Sequence, residues 1–301
     1  MIERIALTGF APLAEEPLAL EPLTVLLGAG GCGKSRCLKG IELALRAARG
    51  ESRPDDPQME FAIGLNGKTY AGRSHAEALP APGLADFARD VRCHDLARFP
   101  DLVQHETGFP VASPAETADP YVFHGNLQTL LAHLQQNRPG HYETLGATLR
   151  FVQPDFRGFR TQTTRGVHTL CWEQAGQDAP LPAAWLSDAF LRFAATGALL
   201  GLDAPSLLLL DNPDAGLNPF AITMLAACLL SASRRGVQVV VATQSPLLVD
   251  ELGVGCIRIA EKTGGNTAFR QVDAGPLQPC FDDGQTPGDL WRRNLLTGRP
   301  A

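Results

Sequence analysis

Residues 28–35 read Gly-Ala-Gly-Gly-Cys-Gly-Lys-Ser, a fit to G-x-x-x-x-G-K-[ST]. This loop constrains the fold more than any other feature, because it works only between a strand and a helix. The required neighbours are present. Leu23-Thr24-Val25-Leu26-Leu27 precedes it as a short apolar, partly β-branched strand. Leu38, Ile41, Leu45 and Ala48 follow at helical spacing. Glycines let backbone N–H groups turn inward around phosphate oxygens, and the helix N-terminus adds the positive end of its dipole. The motif assigns phosphate contacts to Gly28, Gly30, Gly31, Cys32, Gly33, Lys34, Ser35 and Arg36. Within it Lys34 reaches the β- and γ-phosphates of a nucleotide and Ser35 ligates Mg²⁺.

The second half of the chain supplies fitting counterparts. Leu207-Leu208-Leu209-Leu210 is an apolar run ending in Asp211, a Walker B arrangement whose carboxylate would hold Mg²⁺. Leu186-Ser187-Asp188 opens a predicted helix shortly before it, with Ser187 as N-cap. Asn212-Pro213-Asp214-Ala215-Gly216-Leu217-Asn218-Pro219 follows the strand. Val240-Val241-Ala242-Thr243-Gln244-Ser245-Pro246 ends the next one.

Bulk properties narrow the remaining classes. The 301 residues suffice for one large α/β domain or two small ones. The formal charge of −6 argues against a broad basic surface for nonspecific DNA binding. Met1-Ile2-Glu3-Arg4 opens no secretory signal, and no stretch approaches the ~18 apolar residues of a membrane span, so a cytoplasmic location is expected. Seven cysteines include no C-x-x-C pair, so neither zinc nor a redox pair is expected; they read as small buried residues in a reducing cytoplasm, with a redox-sensitive Cys32 as the alternative. The histidines, His124, His133 and His141 among them, read as surface or satisfied groups.

Along the chain, strands are expected over 2–7, 18–20 and 23–27, then the phosphate loop and a helix ended by Gly50. Asn66-Gly67 predicts a hairpin of 60–65 with 68–70. Residues 74–121 are rich in Pro, Ala and Asp and weakly periodic. Helices follow at about 127–137 and 141–150, then a hairpin of 159–163 with 167–172 and a Pro-Leu-Pro link at 180–182. A helix from 187 to about 200, a strand at 207–210, a helix at 219–234, strands at 238–242 and 256–260, and a terminal helix over 287–296 complete the reading.

The motif set resembles the ABC-type P-loop ATPases, specifically the soluble branch related to RecF and SMC proteins. Within it the chain is most similar to the bacterial stand-alone "predicted ATPases" of the AAA family. Ile5-Ala6-Leu7-Thr8-Gly9-Phe10, Asn126-Leu127, Phe151-Val152-Gln153-Pro154-Asp155-Phe156 and the tail Gly288-Asp289-Leu290-Trp291-Arg292-Arg293-Asn294-Leu295-Leu296-Thr297-Gly298-Arg299-Pro300 carry that likeness beyond the motifs.

The resemblance implies an α/β fold: an ABC-ATPase-like head with a mixed central sheet, flanking helices and a helical insertion or lid. Residues 1–301 then form a single ABC-type ATPase domain. Its parts are an N-terminal lobe over 1–72, a helical or irregular insertion over about 73–150, and a C-terminal lobe over about 151–301. It also implies a head-to-tail homodimer that sandwiches ATP and Mg²⁺. Each ATP lies between the phosphate loop of one subunit and Ser187 and Asp188 of the other. DNA, or a DNA-processing or defence protein, is implied as a partner by kinship alone.

Departures from the family pattern fall at the catalytic positions. The glutamate that polarises water aligns with Asn212, which orients water but accepts no proton, and lost general-base help of ~10²–10⁴-fold is expected. Asp214, aligned with the family's second acid, is a possible substitute. Ala189 replaces a signature glycine, Phe190 reads as packing, and Gln244 occupies the histidine switch position. Two readings follow: a slow ATPase, or a non-hydrolysing ATP-dependent switch or scaffold. A transporter subunit and a small-molecule kinase account for fewer of these motifs. Arg4, Phe10 and the nearby loop are candidate adenine neighbours, and Gln104 a candidate Mg²⁺-contacting glutamine.

Overall fold

A computed structural model describes residues 1–74, 82–89, 91–95, 127–164, 167–201 and 207–296. In chain order the elements are β1 (Ile2–Thr8), β2 (Leu18–Ala19), β3 (Leu23–Leu27), α1 (Lys34–Ala48), β4 (Glu60–Leu65), β5 (Lys68–Arg73), α2 (Pro82–Arg89), β6 (Val91–Asp95), α3 (Leu127–Asn137) and α4 (Pro139–Val152). There follow β7 (Phe156–Thr164), β8 (Val167–Gln174), β9 (Leu181–Pro182), α5 (Asp188–Leu200), β10 (Leu207–Asp211), α6 (Pro219–Arg234), β11 (Gln238–Thr243), α7 (Pro246–Leu252), β12 (Ile257–Thr263), β13 (Asn266–Gln271), α8 (Gln278–Asp282) and α9 (Pro287–Arg292). The contacts divide the chain into two units.

The first unit comprises Met1–His94, Ala204–Asn212 and Leu229–Ala301. Its larger sheet has the order β13-β12-β3-β11-β10-β6. Strands β12, β3, β11 and β10 run parallel, and β13 adds an antiparallel edge, so the sheet is mixed. Every residue of β3, β10 and β11 is buried, as apolar runs in a parallel sheet covered on both faces require. A second sheet, β2-β1-β4-β5, is antiparallel.

Helix α1 lies between the sheets. Its Leu38, Ile41 and Leu45 share one core with Leu7 and Ile63 of the antiparallel sheet and Leu26, Leu209 and Val240 of the mixed one. Alternate side chains of β3, Val25 and Leu27, point the other way, into a core with Val249 of α7 and Leu290 of α9. Gln238 joins the sheets: its Oε1 accepts from Ile2 N at 2.9 Å, and its Nε2 donates to Ile2 O at 2.7 Å and Glu21 O at 3.2 Å. Arg258 of β12, only 1% exposed, donates to Ala19 O, Gly255 O, Ile257 O and Glu21 Oε1.

The second unit comprises Asp95–Asp203 and Pro213–Cys228. Helices α3, α4 and α5 pack together, and the sheet β7-β8-β9 lies against them. Phe156 centres its aromatic core, with ring centroids 4.9 Å from Phe159, 6.2 Å from Trp172 and 5.2 Å from Phe190.

Most expected elements are present; β6 and α8 go beyond the sequence reading, and four further differences stand out. The Pro-Leu-Pro link contains β9, paired to β8 through Cys171 and Trp172. Helix α7 and strand β13 go beyond the sequence reading. The terminal helix stops at Arg292 rather than 296, because Asn294 turns left-handed (φ 58°) and Leu295 N returns to Leu290 O at 2.8 Å.

Candidate functional site

Three parallel strands set the site. Register places Leu26 of β3 opposite Ala242 of β11, and Ala242 opposite Asp211 of β10. The segments leaving their C-terminal ends therefore emerge side by side, where ligands bind in open α/β sheets. A cavity of about 410 Å³ lies there, lined by Gly31, Cys32, Gly33, Lys34, Ser35, Arg36, Asn212 and Gln244 together with Ala11 and Pro12.

The phosphate loop is shaped by its glycines. Gly33 is the N-cap of α1 at φ 94°, a left-handed conformation that costs other residues ~1–2 kcal/mol. A Cβ there would also sit 2.7 Å from Thr267 Oγ1. At Gly28 a Cβ would meet Cys32 Sγ at 2.6 Å and Ala260 Cβ at 2.9 Å. Gly30 approaches Gln244, whose Oε1 would be 3.7 Å from a Cβ. No side chain caps α1 and no acid occupies its first turn, so its leading N–H groups are left for an anion.

Lys34 is 6% exposed and folded into the loop. Its Nζ donates to Gly28 O at 2.7 Å and Ala29 O at 2.9 Å, with Cys32 Sγ 3.6 Å away. The ammonium is thus held over the loop, while Ser35 is exposed at the cavity. Cys32 turns inward rather than out, at 7% exposure. Burial pushes the thiol of its neighbour Cys37 up to about 12, so that group stays protonated.

Across the cavity the end of β10 is differently made. Asp211 is buried at 8% exposure. Asn212 is left-handed (φ 48°), its N–H donates to Ala242 O at 2.9 Å, and its Nδ2 donates to Asp211 Oδ1 at 2.8 Å. Asparagine tolerates this backbone better than glutamate does. The side chain at the expected water-polarising position therefore serves as a donor to the expected Mg²⁺ ligand.

The structure thus brings Gly28–Arg36, Asp211, Asn212 and Gln244 together in the first unit. Ser187, Asp188 and Asp214 belong to the second unit. There Ser187 is the N-cap of α5, its Oγ accepting from Phe190 N at 3.2 Å, and Asp188 occupies the first turn. Phe190 is buried, in agreement with packing. Asp214 opens a turn in which its carbonyl accepts from Leu217 N at 3.1 Å. Arg192 Nη1 donates to Ala215 O, tying that turn to α5.

Two expectations about the base need correction. Arg4 lies on the antiparallel sheet, its Nη2 donating to Thr69 Oγ1 at 3.2 Å. Phe10 is 1% exposed, so its ring is core. Gln104, His124, Asn126 and Thr297–Pro300 lie outside the described residues. The loop after Phe10, expected beside the base, lines the cavity through Ala11 and Pro12, whereas Thr267 was missed. The Gly264-Gly265 pair, following the strand expected at 256–260, was the available signal of a hairpin turn into the strand that bears Thr267.

The sequence profile of an AAA domain family, described by reference to the AbiEii toxin and a Type IV TA system, matches residues 67–250, more than half of the chain. The chain belongs to this family. The matched span of this AAA domain includes Asp211, Asn212 and Gln244 and begins after the phosphate loop. No curated protein matches it in sequence.

Among solved structures, the AAA domain is similar to an SMC head bound to the C-winged helix domain of ScpA (TM-score 0.63, 14% identity, 92% of this chain and 99% of that one). It is also similar to the SMC head domain of Thermotoga maritima (0.51, 12%, 90% and 99%). A third match is the Pyrococcus furiosus Smc head with an extended coiled coil, bound to the C-terminal domain of ScpA (0.60, 11%, 94% and 98%). At such identities the likeness establishes the fold, that of a P-loop ATPase head. No helix of the described residues is long and apolar enough to cross a membrane.

Proposed function

We propose that this chain binds ATP with Mg²⁺ and closes into a head-to-tail homodimer whose ATP turnover is slow. The observation that carries the proposal is the single cavity with Lys34 and Ser35 on one wall and Asn212 and Gln244 on the other. In this reading residues 1–301 act as one ABC-type ATPase domain. The uncapped start of α1 and the loop amides hold the β- and γ-phosphates, and Lys34 turns from loop carbonyls to phosphate oxygens. Ser35 and the buried Asp211 fit a divalent ion, an oxygen pair of the kind Mg²⁺ takes alongside waters and phosphate. Bound Mg²⁺ supplies neutralisation of phosphate charge. Gln244 donates to the γ-phosphate.

Slow turnover follows from Asn212. It takes no proton from water, and its amide is already spent on Asp211. Asp214 is the alternative acid. A second copy covers the γ-phosphate with the Ser187-capped start of α5 and Asp188.

The same Asn212 contact favours the second reading, a non-hydrolysing switch that holds a partner in its ATP-bound dimer. The family description suggests a toxin–antitoxin partner and two of the SMC heads are bound to domains of ScpA, while a DNA-processing or defence partner rests on kinship alone. Seven cysteines with no C-x-x-C pair fit a reducing cytoplasm.

Light scattering with and without Mg-ATP, beside a phosphate-release assay, tests the proposal. The expected result is a doubling of mass with ATP that Lys34→Ala and Ser187→Arg each abolish, with slow phosphate release. A mass that stays at one subunit under millimolar Mg-ATP refutes the dimer. Dimerisation with no phosphate release selects the switch.

A further inference from the structure

The nucleotide reading leaves the base without a partner, and the same cavity wall offers one. Arg36 lies two residues beyond Lys34 on α1, is exposed, and lines the cavity. Its guanidinium is pinned in two ways. The Cζ atom sits 4.0 Å from the centroid of the Phe10 ring, and Nε donates to Ala11 O at 3.2 Å. Phe10 is 1% exposed and fixed in the core, so it backs the guanidinium as a rigid plate. The ring thereby backs the cation on one side, while the exposed side chain also lines the cavity.

The surroundings are suited to a flat, weakly polar ligand. Ala11 and Pro12 supply apolar rim on the same side. Pro12 is held from behind by Thr267, whose N–H donates to Pro12 O at 2.5 Å. Thr267 is 1% exposed, and its Oγ1 has no hydrogen-bond partner among the described residues. That hydroxyl lies against Gly33, so Pro12 and the phosphate loop share one support.

Resting on the nucleotide reading above, we propose that Arg36 is the platform on which the base of the bound nucleotide stacks. The base closes a three-layer stack of phenyl ring, guanidinium and heterocycle, held by cation–π attraction and dispersion. Stacking engages the face of the base and not its edge. The ligand class is therefore purine nucleoside triphosphate, with ATP and GTP accepted alike and the smaller pyrimidines held less well.

Calorimetric titration with Mg-ATP, Mg-GTP, Mg-CTP and Mg-tripolyphosphate, on the unchanged protein, Arg36→Ala and Arg36→Lys, tests this. Tripolyphosphate carries the phosphate chain without a base. The stack predicts that Arg36→Ala weakens ATP and GTP about tenfold while leaving tripolyphosphate within about twofold. Lysine, which has no plane, restores only part of the loss. Equal losses for ATP and tripolyphosphate, or full rescue by lysine, make Arg36 a phosphate ligand and overturn the proposal. So does an unchanged ATP affinity in Arg36→Ala, or more than about tenfold preference between ATP and GTP. Tripolyphosphate bound as tightly as ATP by the unchanged protein removes the platform and spares the phosphate site. Failure to bind either one removes both readings.

Discussion

The loop after β3 and the turn after β10 border one cavity, yet they are built to different standards. In the loop, Gly33 meets a left-handed backbone and a crowded neighbour with the only residue that fits both, and Lys34 is fastened by two carbonyls. After β10, a left-handed asparagine stands where the resemblance to ABC-type ATPases leads one to expect a glutamate, and it spends its amide on Asp211. Under the proposed function, grip and cleavage are thus encoded separately. A sequence can keep the first intact while it relaxes the second, because phosphate binding depends on backbone amides and cleavage on one acid.

The largest expected effect is at the loop. Lys34→Ala should weaken Mg-ATP by about 100-fold, the size of a lost charge-assisted contact, read by calorimetry. Retained affinity would erase the contrast, since the grip would not reside there. Next comes Asn212→Glu. It should raise phosphate release by about 10²-fold, at a cost of about 1 kcal/mol in folding stability from the left-handed backbone. A rate that stays flat would show that the turn lacks more than an acid.

Gly33→Ala should lower stability by about 2 kcal/mol in chemical denaturation, from the backbone strain plus the clash with Thr267. A neutral result would mean that the loop is looser than the turn after β10. The smallest effect belongs to a control remote from both ends. Asp289 is held down to about 2, chiefly by the Thr286 N–H and also by Arg292. Its contribution is full above its ordinary value near 3.8 and is lost as pH falls through 2. Asp289→Asn should flatten the melting temperature's decline between pH 4 and 2 and leave ATP binding alone.

What the sequence disclosed and what it hid follow one division. Contiguous motifs were legible: Leu23–Leu27 into Gly28–Ser35, and Leu207–Asp211, are local patterns whose geometry is fixed by neighbours in the chain. The start of α5 was legible too, because an N-cap is a local device. Contacts made across the fold were not. Phe10 looked like a ligand contact and is buried. Arg36 drew notice only as the residue after a motif, yet its position depends on a ring 26 residues earlier. Thr267 was invisible, because nothing near it in sequence announces that β13 backs the phosphate loop. Asn212 was read as a missing base, and only the backbone angle and its bond to Asp211 show why asparagine sits comfortably there.

The two long polar side chains flanking β3 carry a consequence for how the chain finds its place. Gln238 and Arg258 come from the strands on either side of β3, and both grasp Glu21, two residues before β3 begins. A slip of β3 by a single position would break both grasps at once, leaving Gln238 with Ile2 alone and Arg258 with the carbonyls of Ala19, Gly255 and Ile257. The pair therefore proofreads the alignment of the strand from which the phosphate loop springs, long before any nucleotide arrives.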